Sequence, residues 1–194
     1  MRPRLNQWIL GIAMTVWVGA AALVLLSLLS AVLFVRPTYS GASVPNSVEV
    51  GGLHYDVRNA WVLHPARPVD AELSVGLPRD FRRLRDGELL YAVFLRVRND
   101  TGSPKPMAAD IELRDTRNLN YPSLPVAAQN RFAYEPAWVK AESHVPAPGT
   151  AAQSDLATDG LMLVFRISRG SYDGPLQLVL HDPRHPDIVA TVET

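Results

Sequence analysis

Residues 88–102 read ELLYAVFLRVRNDTG, and this stretch decides the fold. Leu89, Tyr91, Val93, Leu95 and Val97 fall at period two on one face, the spacing of a strand laid against a core, while Arg96 and Arg98 mark the wet end of the other face. Aromatic and β-branched side chains suit such a pleated, half-buried surface. Asn99-Asp100-Thr101-Gly102 then turns the chain, because Asn, Asp and Gly tolerate the backbone angles of tight turns. The triplet Asn99-Asp100-Thr101 is formally a glycosylation sequon, but the turn reading is sufficient.

The same alternation recurs on both sides. Residues 53–57 (LHYDV) continue to Trp61-Val62-Leu63, residues 109–114 place Ile111 and Leu113 inward, and residues 161–167 (LMLVFRI) form an apolar strand. Residues 175–180 and 188–192 make a final pair around the turn Asp182-Pro183-Arg184-His185-Pro186. Residues 64–86 are rich in Pro and Arg and hold one short strand candidate, 71–75. Residues 118–159 read as a loop with five prolines and an embedded aromatic cluster, Phe132, Tyr134 and Trp138. About seven strands at these spacings, with no soluble helix, predict an antiparallel sandwich.

Residues 91–102 (YAVFLRVRNDTG) resemble the long strand and Asn-rich turn of a bacterial immunoglobulin-like domain family of unknown function, carried on lipoproteins and single-pass surface proteins and similar in fold to a small secreted mycobacterial antigen. In that family a Leu-x-Asp pattern ends the next strand with an aromatic soon after, matched by Leu113-Arg114-Asp115 and Tyr121. A Pro-Gly stretch then leads to an apolar strand centred on Val-Phe, matched by Pro148-Gly149 and Val164-Phe165. The resemblance covers roughly residues 50–194. The chain departs from it in the length of 64–86 and in the 11 residues between Gly149 and Leu161. It implies an immunoglobulin-like sandwich in an extracytoplasmic binding or scaffolding role, and supplies no catalytic residues.

Ahead of the sandwich, residues 8–35 (WILGIAMTVWVGAAALVLLSLLSAVLFV) run for 28 residues without a charge. A bilayer core needs roughly 20 helical residues, so this run predicts one transmembrane α-helix. A secretory leader has an apolar stretch of about 7–15 residues followed closely by its cleavage site. Here Arg36 separates a longer stretch from the nearest small-residue site, Ser40-Gly41-Ala42, so a retained anchor is expected rather than cleavage after Ala42. Arg2, Arg4 and the α-amino group precede the run and only Arg36 closely follows it, which predicts a cytoplasmic N-terminus. The expected organisation is a cytoplasmic stub (1–7), a signal anchor (8–35), a linker (36–50) and an extracytoplasmic sandwich (51–194), placing the protein in the cell membrane. Gly11, Thr15 and Gly19 lie at four-residue steps, a row of small side chains that lets two helices approach closely.

All 19 acidic residues follow Arg36, together with 16 of the 19 basic ones, so the domain is slightly acidic and no nucleic-acid partner is expected. Cysteine is absent, so neither disulfides nor an acylated Cys enters the design. Lys105 and Lys140 are the only lysines, and the excess of Arg, Ala, Val, Leu and Pro fits a GC-rich bacterial genome.

Catalytic patterns are missing. Nucleophilic chemistry wants a Ser or Cys displayed beside a base, as in Gly-x-Ser-x-Gly. Gly170-Ser171-Tyr172-Asp173-Gly174 reads instead as a hairpin turn. His181 and His185 are four apart, but Pro183 and Pro186 forbid the helix that would align them as metal ligands. Neither a metal nor a cofactor is expected, and the chain is not read as an enzyme. Two surface features remain as candidate interaction sites: the cluster Arg79, Arg82, Arg83 and Arg85, suited to carboxylate or phosphate partners, and the aromatic group Phe132, Tyr134 and Trp138. The expected function is protein interaction, sensing or assembly by a membrane-anchored, non-catalytic domain, with a membrane or cell-envelope protein or a second copy as partner. The alternative is an accessory subunit of an integral membrane enzyme or transporter, bound through its helix.

Overall fold

A computed structural model describes residues 47–154, 158–186 and 189–194. The span at 8–35 and its row Gly11, Thr15 and Gly19 lie outside the described residues. Among those described, no helix is long and apolar enough to cross a membrane.

The chain folds as antiparallel sheets. Strand β1 (Ser47–Val50) pairs with β2 (Leu53–Leu63), and β2 with the long β3 (Glu88–Asn99). The other edge of β3 is shared: β9 (Leu161–Ser168) pairs along its first part and β8 (Ser143–Val145) along its last three residues. A second sheet runs in the order β11 (Val189–Glu193), β10 (Gln177–His181), β5 (Ile111–Arg114) and β6 (Asn120–Pro122). A two-stranded ribbon joins β4 (Lys105–Pro106) to β7 (Trp138–Val139). Apart from the candidate at 71–75, the strands read from sequence are present, but 47–50 belongs to the sheet rather than to the linker. Gly51 and Gly52 make that pairing possible: their φ values of 61° and 78° fit a two-residue hairpin turn that other side chains resist.

The two larger sheets face each other across one core. Tyr55, Val57, Tyr91, Val93, Leu95, Val97, Leu163 and Phe165 meet Ile111, Leu113, Leu178 and Leu180. A second core lies on the opposite face of the first sheet, where Leu90, Ala92, Phe94, Met162 and Val164 pack under Leu73, Leu77, Phe132 and Ala152. Strand β3 is therefore buried on both faces, and its unbroken apolar run LLYAVFL is the signature of such a strand. Reading only its odd positions missed the second layer.

Strand β2 carries a related surprise. Its buried residues occupy odd positions throughout, yet a bulge between Val57 and Asn59 reverses which face those positions take. Leu53, Tyr55 and Val57 enter the first core, whereas Trp61 and Leu63 enter the second. Trp61 stacks on Phe94 with ring centroids 4.4 Å apart.

The second core depends on residues 64–86. The strand candidate at 71–75 is not a strand: Pro68 starts a one-turn helix, α1 (Pro68–Ala71), whose Asp70 accepts a hydrogen bond from His64 N. Leu73 and Leu77 then turn inward, and a second turn, α2 (Arg79–Arg82), follows. Burying such side chains contributes about 1.5–3 kcal/mol each, which gives this insertion a structural purpose. Two more single turns, α3 (Ala151–Ser154) and α4 (Arg169–Tyr172), complete the helical content among the described residues. The latter corrects the hairpin expected around Ser171, since β9 ends at Ser168 and α4 begins at the next residue.

Candidate interaction surface

The aromatic group read from the sequence is not one surface. Phe132 is 1% exposed and belongs to the second core, with the Arg131 guanidinium 4.8 Å from its ring centre. Tyr134 is partly buried and donates its hydroxyl to Ala108 O at 2.8 Å, while Ala108 N donates to the Tyr55 hydroxyl at 2.7 Å. Burial pushes both phenols above their ordinary pKa, Tyr134 the further. Trp138 alone stands in solvent, at 65% exposure the most open large apolar side chain among the described residues.

The backbone around Trp138 is held firmly. Asn99, fully buried at the end of β3, donates Nδ2 to Ser103 O (2.9 Å), Val139 O (3.0 Å) and Lys140 O (3.0 Å). Its Oδ1 accepts from Thr101 N (3.0 Å) and Thr101 Oγ1 (2.7 Å). Met107 N donates to Ala137 O at 2.9 Å, so Trp138 is fixed from both sides. The side chain is thus displayed on a rigid ribbon, flanked by the chain's two lysines.

The arginine cluster lies elsewhere. Arg79 opens α2 and Arg82 ends it; Arg79, Arg83 and Arg85 are exposed. Phe81 between them sits under the Arg166 guanidinium at 5.2 Å, and Arg166 reaches Glu88 at 3.9 Å. This places the arginines near the start of β3, and Trp138 near its end. The two candidate surfaces therefore lie toward opposite ends of β3.

A buried polar network was missed in part. Asp115 and Tyr121 were read only as pattern residues, yet Ser171 Oγ donates to Asp115 Oδ2 at 2.8 Å and lies 2.7 Å from both the Tyr121 hydroxyl and Ser168 Oγ. Arg117 Nη2 donates to the same Ser171 oxygen and to Asp115. Burial raises the Asp115 pKa, but hydrogen bonds from Leu119 N, Ser171 and Arg117 outweigh it and hold the carboxyl well below the usual carboxylate range. This carboxylate ties the turn after β5 to α4. Ser171 and Arg117 thereby hold the two segments together through one carboxylate oxygen.

His181 closes β10 with Nδ1 3.1 Å from Pro186 O, and His185 is exposed in the following turn. Among the described residues no three His, Asp or Glu side chains converge as metal ligands would. Clefts among the described residues include two beside these elements. One of about 370 Å³ is lined by Arg98, Asp100, Glu142, Ser143 and His144 beside the Trp138 ribbon. The other, about 350 Å³, includes Ser123, Pro125, Tyr134, Glu135 and Met162.

The chain matches no protein-family model and no curated protein. Solved structures that it resembles include bacterial proteins. A protein of unknown function from Listeria monocytogenes shares 14% identity at a TM-score of 0.49, over 82% of this chain and 86% of that one. A candidate lipoprotein of Bacillus subtilis shares 11% identity at a TM-score of 0.48, over 78% of this chain. The matched part spans only 39% of that lipoprotein's length. An uncharacterised β-sandwich protein of Clostridium difficile shares 9% identity at a TM-score of 0.39, over 82% of this chain and 99% of its own.

Proposed function

We propose that the protein is a single-pass membrane protein presenting an immunoglobulin-like, non-catalytic domain outside the cytoplasm, where it serves protein interaction, sensing or assembly. The observation that carries this reading is the uncharged run 8–35, long enough to span a bilayer, set eleven residues ahead of a folded antiparallel domain that begins at Ser47. Arg2 and Arg4 before the run, against Arg36 after it, favour the domain on the outer side. The fully buried polar groups support a presenting role: Asn99, Asp115 and Asn130 all spend their hydrogen bonds on holding loops in place.

The partner is a membrane or cell-envelope protein, or a second copy of the chain. Crosslinking in intact membranes tests this, comparing the whole protein with the same domain carried on a foreign anchor. Recovery of the same partner with both supports the domain as the binding element. A partner lost with the foreign anchor supports the second reading, an accessory subunit docked through its helix. That reading is favoured by the small-residue row Gly11, Thr15 and Gly19.

A further inference from the structure

We propose that the end of the domain carrying Arg79, Arg83, Arg85 and Arg169 docks a protein partner through an acidic peptide segment interspersed with basic residues, a proposal that rests on the interaction reading given above.

Most arginines on the sheets are already engaged. Arg58 and Arg96 share Asp159, Arg98 takes Asp100, Arg117 takes Asp115, Arg131 takes Glu72 and Arg166 takes Glu88. The guanidiniums of Arg79, Arg83, Arg85 and Arg169 differ: all four residues are exposed, and no carboxylate among the described residues lies within pairing distance of them. The fold gathers them at one end. Arg79, Arg83 and Arg85 lie in and just after α2, and Arg169 N donates to Gly87 O at 2.7 Å, two residues past Arg85. A partner carboxylate here meets planar forks of donors that it need not first pull from an internal pair.

The backbone beneath these side chains is pinned. Leu84 packs against the second core, and Phe81, three residues earlier, lies under the Arg166 guanidinium at 5.2 Å. Glu88 closes the loop: its Oε2 accepts from Arg85 N at 2.9 Å, and its own N donates to Arg85 O at 3.0 Å. Less order is therefore lost when a ligand is bound than on a free loop. The order of charges then selects the kind of anion. Asp80 and Asp86 are exposed among the arginines, and no cation among the described residues pairs with them. A continuous polyanion is repelled by these two carboxylates and by the slight acidic excess of the chain after Arg36. A mainly acidic peptide with a few basic residues answers both signs.

The test uses the full chain in detergent micelles and a fluorescein-labelled peptide repeating Glu-Glu-Lys-Glu, with binding read by anisotropy at low salt. Arg79→Ser, Arg83→Ser and Arg85→Ser combined are expected to weaken binding at least about fivefold. Lys105→Ser, Lys140→Ser and Arg184→Ser combined remove the same charge elsewhere and are expected to change it less than about twofold. The first variant should keep its Tm within about 2 °C, since its guanidiniums hold no internal pair. Arg79→Lys, Arg83→Lys and Arg85→Lys combined preserve the charge and are expected to bind about twofold weaker or worse, because lysine lacks the fork. A wild-type chain that leaves the peptide free, equal losses in the two Ser variants, or tighter binding of inorganic polyphosphate at equal charge overturns the proposal; the last result makes a phosphate polymer the ligand. Domain-dependent crosslinking in membranes that persists in the arginine-to-serine variant refutes this surface and spares the interaction reading. Crosslinking that the domain never supports refutes that reading itself.

Discussion

Asn99→Ala is the perturbation with the clearest expected cost. The side chain is fully buried and makes five contacts of 2.7–3.0 Å, donating to three carbonyls and accepting from the Thr101 amide and hydroxyl. Its two amide hydrogens serve three acceptors, so one bond is shared, and about four full hydrogen bonds are lost. At about 1 kcal/mol each, with the partner groups left inside rather than rehydrated, the loss is about 3–5 kcal/mol. For a domain near 150 residues that corresponds to a fall in Tm of roughly 10 °C or more. Urea unfolding of the full chain in detergent measures it, with fluorescence of Trp61, stacked on Phe94, as the reporter. Asn99→Asp is expected to do no better, because a carboxylate would face three carbonyl oxygens. A loss below about 1 kcal/mol for Asn99→Ala would refute the role of this residue as the holder of the ribbon.

Three further outcomes are expected. Phe132→Ala should cost about 3–5 kcal/mol and Trp138→Ala less than about 0.5 kcal/mol in the same assay, since the first empties a core site and the second changes only surface. Gly160→Ala should destabilise strongly, because its Cβ would lie 2.8 Å from Leu95 O and 2.9 Å from Leu95 N, backbone atoms of β3 that cannot yield without moving the strand; soluble expression and Tm report it. Asp115 has a folded-state pKa below its unfolded value, so its contribution is present above about pH 4 and is lost as pH falls through the folded value. Acid titration of stability should therefore show a falling limb below about pH 4 that is flattened in Asp115→Asn.

Period and composition convey part of this structure and hide the rest. The strands at 88–99 and 161–168 were plain because their apolar runs are long and their turns carry Asn and Gly. The second core was hidden for a physical reason: it is built by a Pro- and Arg-rich segment whose few inward residues, Leu73 and Leu77, have no strand period. The bulge in β2 was hidden too, since an inserted residue changes faces without changing composition. Of the proposed surface residues, Phe132 and Tyr134 are aromatic for packing and Trp138 is not, a distinction that only burial reveals. Asp115 and Ser171 lie 56 residues apart, beyond any local pattern, although the Leu-Arg-Asp phrase and Tyr121 pointed to one side of their network.

The domain is proposed to stand outside the cytoplasm on a retained anchor, and its accessibility from outside the cell tests this. Because the chain has no cysteine, Gly170→Cys creates a single reporter at the exposed end of the domain. Intact cells are treated with a membrane-impermeant maleimide, with a cytoplasmic cysteine protein as the control. The expected result is that Cys labelling is complete without lysis and that the labelled protein stays with the membranes uncleaved. Labelling only after lysis, or recovery of a shortened protein free of the membrane, would contradict it.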